Sequence, residues 1–353
     1  KISGVWIMAY TTIDDPSEYF NTVIWSGDGN NDRDITGVGF KPDWVWIKER
    51  TSPSFISHHA LFDSNRGGQK MLSSSTTNSE STTTTQLQSF ITDGFNVNDS
   101  GAVNGSGETY VAWNWKVNGG TTSSNTDGSI TSTVQANTTA GFSIVTWTGS
   151  GTSNETVGHG LTTAPEVVIL KPRSEARHWL IWFEELGDND KAFLFNTDAP
   201  ADNRFGPNAP TSSVFGLYGN QGNRDGTTFV AYAFHSVQGY SKIGKYTGNG
   251  NADGPFVYTG FKPAFTLIKR TDASQAWVLH DSARAGGINP TDNYSYANAT
   301  NVEAEDIDHD YLSNGFKIRA TFNDTNASGG TYVYIAFAEH PFVSSKGVPV
   351  TAR

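Results

Sequence analysis

Two short segments with the character of β-strands recur three times along this 353-residue chain, and this internal repeat constrains the fold more than any single residue does. The first segment follows a proline and the second is rich in aromatic residues. They begin at Pro42 and Tyr110, at Pro165 and Phe229, and at Pro263 and Tyr334. The two starting points are 68, 64 and 71 residues apart. A nearly constant separation indicates one supersecondary unit present in three copies.

Composition favours thin β layers over helices. Hydrophobic residues make up 36% of the chain, but 10 tryptophans, 13 tyrosines and 21 phenylalanines place much of that apolar area in large rings. Long apolar runs at helical spacing are missing, while 37 glycines supply turns. Each unit carries roughly six to eight strand signals separated by turn residues. We therefore predict an all-β fold of three tandem β-sandwich, jelly-roll-like repeat domains.

The repeats set the predicted boundaries. They give an N-terminal attachment segment over 1–18, repeat one over 19–116, a linker over 117–137, repeat two over 138–237, repeat three over 238–342 and a C-terminal tail over 343–353. The linker is poor in apolar residues and holds one candidate strand at 129–134. Repeat one is therefore expected to move relative to the other two.

The strand that follows each proline is apolar on both faces, which predicts a central strand covered on both sides. Trp44, Val167 and Phe265 should occupy equivalent buried positions in the three copies. Asp-Gly at 93–94 and Asn-Gly at 314–315 predict tight hairpins in repeats one and three. Repeat two has no such turn at that place, so its topology is expected to be abridged.

Each central strand ends in a lysine with an arginine close by. The lysines are Lys48, Lys171 and Lys269. The favoured interpretation is a strand that emerges into solvent through a basic pair.

Net charge and cysteine content exclude several classes of partner and site. A formal charge of −11 and a pI near 5.1 do not suit a surface that must neutralise phosphates, so nucleic acid is not an expected partner. The chain has no cysteine, which rules out disulfides and thiolate metal sites. Its apolar runs are far shorter than the roughly 20 residues that span a bilayer, so membrane insertion is not expected.

Two loops resemble the start of an oxygen-ligand calcium loop. They place oxygen-bearing side chains at alternate positions, at Asp28, Asn30 and Asp32 in repeat one and at Asn249, Asn251 and Asp253 in repeat three. Glycine stands where a bidentate carboxylate would complete such a loop. The alternative is a polar hairpin turn without a metal, and no other cofactor is predicted.

No catalytic residue is predicted, although several groups have side chains suited to catalysis. His58, His59 and Asp63 contain the ingredients of a nucleophilic triad but lack a positioned nucleophile. Glu184 and Glu185 are adjacent and would point to opposite faces of a strand. The acidic run 303–310 includes His309, a candidate metal ligand or base, and is expected to be a solvated loop.

An Asp and an Arg three residues apart recur in two of the repeats. The pairs are Asp63 with Arg66 and Asp281 with Arg284. A carboxylate and a guanidinium at this spacing are expected to pair and hold a turn.

The Gly-Phe-Lys-Pro entry at 39–42 and 260–263, the Trp-Ile-Lys strand and the closing aromatic segment resemble a group of marine bacteriophage proteins. In that group such units occur in tail-fibre-like and other virion proteins, and the resemblance covers about residues 19–342. It implies a virion component and transfers no catalytic residue. Other virion proteins and copies of the same chain, as a trimer, are the implied partners.

Two hypotheses follow. The first is a non-enzymatic virion structural protein, a tail fibre or a capsid fibre or decoration protein, with adhesion to host-surface glycans through exposed rings and polar side chains. The second is a virion-borne or secreted glycan-degrading enzyme on a β scaffold. Two carboxylates in an aromatic-lined groove would favour the enzyme.

Overall fold

A computed structural model describes residues 9–51, 57–199, 202–203, 205–307 and 309–350. Strands dominate it, and all of the paired strands are antiparallel. Its helical content in the described residues consists of short turns at Pro16–Glu18 and Glu184–Leu186 and two four-residue helices, α1 (Gly219–Gly222) and α2 (Asn323–Asn326). The all-β prediction is confirmed.

Repeat one forms a four-stranded main sheet, a three-stranded small sheet and a two-stranded ribbon, in the orders β1-β9-β3-β4, β2-β8-β7 and β5-β6. Its strands are β1 (Phe20–Ser26), β2 (Arg33–Thr36), β3 (Trp44–Glu49), β4 (Ala60–Asp63), β5 (Lys70–Met71), β6 (Ser81–Thr82), β7 (Leu87–Ile91), β8 (Gly94–Val97) and β9 (Thr109–Trp115).

Repeat two has an eight-stranded main sheet, β10-β11-β12-β19-β14-β15-β16-β17, and a two-stranded small sheet, β13-β18. Its strands are β10 (Ser123–Asn125), β11 (Ser132–Asn137), β12 (Phe142–Thr148), β13 (Thr156–Gly158), β14 (Val167–Pro172), β15 (Leu180–Phe183), β16 (Lys191–Leu194), β17 (Asp202–Asn203), β18 (Val214–Gly216) and β19 (Thr228–Phe234). The small sheet has one strand fewer than in the other repeats, whereas the main sheet is the largest of the three, so the predicted abridgement holds only for the small sheet.

Repeat three has a five-stranded main sheet, β20-β27-β22-β23-β24, and a three-stranded small sheet, β21-β26-β25. Its strands are β20 (Ser241–Thr247), β21 (Phe256–Tyr258), β22 (Phe261–Arg270), β23 (Trp277–Asp281), β24 (Tyr294–Tyr296), β25 (His309–Leu312), β26 (Gly315–Ile318) and β27 (Thr331–Pro341).

The three main sheets share one central core. In each sheet the closing strand lies between two equivalent neighbours: β9 between β1 and β3, β19 between β12 and β14, and β27 between β20 and β22. One face carries residues of a single apolar cluster to which all three repeats contribute, and separate clusters fill the space between each main sheet and its small sheet. Trp44, Val167 and Phe265 all lie in the central cluster, at most 2% exposed. Their predicted equivalence is confirmed.

The strand register corrects one detail of the sequence comparison. Trp44, Val167 and Phe265 pair with Trp115, Phe234 and Phe337 respectively. The closing strand of repeat three is therefore offset by two residues from the sequence match, and Tyr334 lies opposite Ile268, where repeat one pairs Ala112 with Ile47. The apolar and aromatic pattern alternates with period two, so a shift by two leaves the pattern intact.

The segment 117–137 is part of the fold of repeat two, which differs from the linker prediction. It supplies β10 and β11, and β11 pairs with β12 along five residues. Val117 and Val134 are buried, and the amide of Asn137 donates to the Val117 carbonyl. Repeat one packs against repeat two through the shared central core, which disfavours independent movement; the expected movement itself stays a prediction.

Both ends of the described chain pack on repeat three. Ile13 lies in the central core, and the Tyr10 hydroxyl donates to the Gly260 carbonyl over 2.8 Å. The Asp14 carboxylate accepts hydrogen bonds from the backbone and hydroxyl of Ser345. An attachment role for 1–18 stays a prediction, and residues 1–8 lie outside the described chain. Among the described helices, none has the length and apolar character needed to cross a membrane.

Candidate functional site

Three copies of one unit provide an internal reference for finding a site. A side chain that the fold requires should recur at equivalent positions, whereas an exposed side chain present in one copy is free of that requirement. The clearest case is a groove of about 320 Å³ in repeat three, which we call the aromatic groove. It is lined by Glu185, Lys242, Gly244, Lys245, Tyr246, Phe256, Val257, Tyr258 and Tyr334.

The aromatic groove lies where two sheet edges meet. β20 is the edge strand of the main sheet and β21 is the edge strand of the small sheet. Alternation along β21 buries Val257 and leaves Phe256 and Tyr258 46% and 56% exposed on the same face. Large rings exposed in this way are unusual in a chain that buries most of its aromatic residues.

These two rings have no counterparts in the other repeats. Val257 pairs with Phe316 in repeat three, Ile35 with Phe95 in repeat one and Val157 with Phe215 in repeat two. Counting from these pairs, Phe256 corresponds to Asp34 and Thr156. Tyr258 corresponds to Thr36 and Gly158. The unit therefore folds without aromatic side chains at these two positions.

Gly244 and Tyr334 are paired residues that line the aromatic groove. A Cβ on Gly244 would lie 2.7 Å from the Tyr334 hydroxyl, so the ring uses the space that a larger residue would fill. The corresponding pairs are Val23 with Ala112 and Val145 with Ala231. Burial raises the pKa of Tyr334, and the charges of Glu185 and Glu166 raise it further, so the hydroxyl stays protonated as a donor.

An ion pair borders the aromatic groove. The Lys245 ammonium lies 3.0 Å from the Glu185 carboxylate, and Lys242 is half-buried beside them. The groove thus combines exposed ring faces with hydroxyl, ammonium and carboxylate groups. Such a site can stack on an apolar face of a ligand and hydrogen-bond to its edge.

The family comparison agrees with the extent of the three-repeat fold. A family model described as a domain of unknown function, DUF7483, matches residues 15–341. The chain belongs to this DUF7483 family. No curated protein matches it. The matched range spans all three repeats, so the DUF7483 unit corresponds to the complete assembly around the central core.

The predicted calcium loop of repeat one is occupied by an asparagine amide. Asn104 is fully buried, and its Nδ2 donates to Asp28 Oδ1 and to the Asn30 carbonyl over 2.8 and 2.9 Å. Asp32 Oδ1 accepts from Asn96. The backbone amide of Asn30 and the side-chain amide of Asn104 donate to Asp28 and lower its pKa to about 2, with Arg33 adding a smaller effect.

The second predicted loop of the DUF7483 chain has the same plan. Asn326 Nδ2 donates to the Asn251 carbonyl, and Asn326 Oδ1 accepts from the backbone of Asn249. Asp253 lies 2.7 Å from the Lys317 ammonium. Asn223 fills the corresponding place in repeat two. Calcium binding stays a prediction, and it would require these amides to be displaced.

The three strand-end lysines are buried, which contradicts the predicted exit into solvent. Lys48, Lys171 and Lys269 each have an exposed fraction of 0%. Each ammonium donates to two backbone carbonyls; Lys171 Nζ, for example, reaches Thr77 and Arg177 over 3.1 and 2.6 Å. Burial lowers the pKa of Lys48 and Lys269 to about 8 and that of Lys171 to about 7.

The candidate triad residues do not come together. His59 is buried and bridges repeats, accepting from Trp46 Nε1 over 2.8 Å and contacting the Tyr296 carbonyl at 3.0 Å. Burial lowers its pKa well below the usual value. His58 bonds to Ser75. Asp63 instead binds Arg66, which confirms the predicted pair, and Asp281 binds Arg284 in the same way.

The remaining candidate residues are Glu184, Glu185 and those of the acidic run 303–310. Glu184 and Glu185 lie on a short helical turn, and only Glu185 reaches the aromatic groove. Glu303 is held by Arg50 and Arg284. His309 is fully buried, its ring centroid 4.1 Å from that of His280, so it does not belong to a solvated loop.

Proposed function

We propose that this member of the DUF7483 family is a non-enzymatic bacteriophage virion structural protein that contacts host-surface glycans through the aromatic groove. It is a tail fibre or a capsid fibre or decoration protein. Two lines of argument support the proposal. The strand and entry motifs resemble virion proteins of marine phages. The exposed Phe256 and Tyr258 pair in one repeat is not needed by the shared fold.

Sugar recognition fits the chemistry of the groove. The C–H face of a pyranose ring is apolar and packs on aromatic rings, while its hydroxyls need donors and acceptors at the rim. Phe256 and Tyr258 offer ring faces, and Lys242, Glu185 and the Tyr334 hydroxyl offer polar partners. Burying a ring face contributes about 25 cal/mol per Å² of apolar area.

The glycan-degrading alternative needs an acid and a base on opposite sides of the scissile bond. Among the described residues that line the aromatic groove, Glu185 is the only carboxylate, and it is paired with Lys245. This composition favours binding over hydrolysis in the groove.

A glycan array tests the proposal. The double variant Phe256→Asp/Tyr258→Thr carries the residues of repeat one at these positions, so the fold should tolerate it. We expect the wild type to bind a set of glycans and the double variant to lose about 5- to 150-fold in affinity, since two stacking contacts together are worth about 1–3 kcal/mol. Tyr218→Thr removes a ring that is 51% exposed outside the groove and serves as the control. Equal binding by wild type and double variant would contradict the proposal.

Virion location and assembly are tested separately. Antibody labelling of phage particles in electron microscopy should place the protein at the particle surface. Light scattering should give three times the 38.2 kDa chain mass if the chain forms the proposed trimer. A stable monomer would remove the trimer from the proposal and leave the glycan contact to the array.

A further inference from the structure

A second depression lies at the junction of repeats two and three, and we call it the polar cleft. It encloses about 630 Å³. Hydrogen-bonding side chains from both repeats line it: Asn196, Thr197, Asp198, Ser274, Gln275, Tyr296, Asn298, Asn301 and Asp324. Nothing in the proposed function uses these residues.

The other two junctions are each held by a cluster of one glutamate and two arginines. Glu80 of repeat one accepts from Arg66 of its own repeat and, through both oxygens, from Arg173 of repeat two. Glu303 of repeat three accepts in the same way from Arg284 and from Arg50 of repeat one. Each glutamate thus joins two arginines across a junction.

The junction of repeats two and three lacks both arginines. Arg50 and Arg173 donate their backbone amides to Thr109 and Thr228, and Thr271 donates to Thr331 at the same register. Three residues after β15, Leu186 stands where Arg66 and Arg284 follow β4 and β23. An arginine–glutamate–arginine cluster therefore cannot form at the equivalent positions there.

The two carboxylates of the polar cleft are held in place by neighbours. Asn298 Nδ2 donates to Asp198 Oδ1 over 2.6 Å. Asp324 accepts from the Tyr296 hydroxyl and from the Ala276 backbone amide, both over 3.2 Å. Burial raises the pKa of Asp324, and the nearby Asp198 charge adds to the effect. Fixed acceptors of this kind lose little entropy when they bind a ligand.

Charge narrows the class of ligand. Two carboxylates disfavour an anion. The Lys269 ammonium, 2.8 Å from the Asp198 carbonyl, disfavours a metal cation at the same place. Neutral amide and hydroxyl groups make up most of the remaining lining. A neutral ligand that presents many hydroxyls satisfies both donors and acceptors.

We infer that the polar cleft is a second carbohydrate-binding site, separate from the aromatic groove, that takes a neutral sugar through Asp198, Asp324 and Tyr296. The inference rests on the proposed glycan contact for the source of its ligand. Because the cleft is rich in hydrogen-bonding groups and holds a single large ring, it should recognise hydroxyl arrangement more than ring stacking.

Saturation-transfer NMR with galactose, glucose and N-acetylglucosamine tests the inference on the full chain. The cleft variant is Asp198→Ala/Tyr296→Phe, and the groove variant is Phe256→Asp/Tyr258→Thr. Glu175→Ala is the matched control, since Glu175 lines a similar depression at the junction of repeats one and two. Unchanged thermal unfolding of each variant checks that it is folded.

We expect at least one of the three sugars to bind the groove variant. Its affinity for the cleft variant should be about tenfold or more lower than for the wild type, since hydrogen bonds to charged groups are worth about 1.5–3 kcal/mol. Glu175→Ala should bind as the wild type does. Full binding by the cleft variant, or no signal from any of the three sugars with the wild type, would overturn the inference. Binding lost only in the groove variant would overturn it too and leave the proposed function intact.

Discussion

The buried aspartate at the junction of repeats one and two provides the sharpest test of how the assembly is held together. Asp63 is 0% exposed and accepts from the backbone and Nε of Arg66, at 2.8 and 2.5 Å. It also accepts from the Tyr232 hydroxyl of repeat two over 2.6 Å. Asp281 has equivalent bonds from Arg284 and from Trp113 Nε1 of repeat one.

Asp63→Ala removes all three of these bonds and keeps the Arg66 guanidinium buried. Breaking a buried pair by removing one partner typically costs about 3–5 kcal/mol. Arg66 keeps Glu80 at 3.0 Å, so we expect the lower half of that range, about 3 kcal/mol. Tyr232→Phe removes only one donor and should lower the free energy of unfolding by about 1–2 kcal/mol.

The chain itself supplies the compensating change. At the third junction the positions of Asp63, Arg66 and Tyr232 are filled by Phe183, Leu186 and Ile335, all apolar. A buried ion pair replaced by apolar residues of similar volume is often nearly neutral. The variant Asp63→Phe/Arg66→Leu/Tyr232→Ile should therefore recover at least half of the stability that Asp63→Ala loses.

Equilibrium unfolding in urea, followed by tryptophan fluorescence, measures these differences. Asp281→Ala should behave like Asp63→Ala because its surroundings match. If Asp63→Ala unfolds at the wild-type urea midpoint, or if the triple variant is less stable than Asp63→Ala, the Asp63–Arg66 pair does not stabilise this junction as argued.

Three further predictions concern single buried groups. The pKa of Lys171 is about 7 in the fold and near 10.4 in an unfolded chain, so the unfolded state holds more protons between these pH values. The free energy of unfolding should therefore rise with pH in this range. Between pH 7 and 9.5 it should rise less in Lys171→Met than in the wild type. Burial lowers the pKa of His309 to about 3, so the free energy of unfolding should fall as the pH drops below about 6.5. If His309→Leu loses as much free energy of unfolding as the wild type between pH 7 and 4.5, this prediction is wrong. Calorimetric titration with calcium tests the loops that Asn104 and Asn326 fill, and any affinity should increase in Asn104→Ala because the competing amide is gone.

The repeat, the strand content and the central strands could be predicted from sequence because they depend on period and composition. Proline spacing located Trp44, Val167 and Phe265 at equivalent sites, and an Asp and Arg three apart predicted a pair whose geometry is local. The missing turn in repeat two predicted an abridged topology, which the structure shows in its two-stranded small sheet but not in its main sheet. Each of these signals involves residues near one another in the chain.

The errors involve contacts between distant segments. A lysine at a strand end reads as exposed, yet the carbonyls that accept from Lys171 come from Thr77, which is 94 residues away, and from Arg177. Residues 117–137 are too polar to predict a sheet by themselves, but the edge of β12 offers backbone partners to β11. The aromatic groove depends on which residues of β21 face outward, and that follows only once Val257 is paired with Phe316.

Differences between the repeats carry more functional information than their likeness does. At the third junction the positions of an Asp, an Arg and a hydrogen-bonding aromatic residue are all apolar, so these three positions differ together as one unit of packing. Tyr258 faces Gly315, which matches Gly94 of repeat one, so the ring at 258 has no matching change in its facing residue; Phe256 faces Lys317 where repeat one has Asn96. A coupled set of changes is explained by internal packing. A solvent-facing ring such as Phe256 or Tyr258, which the shared fold does not require, is a candidate contact for the proposed glycan, which is why these two residues are the first to mutate.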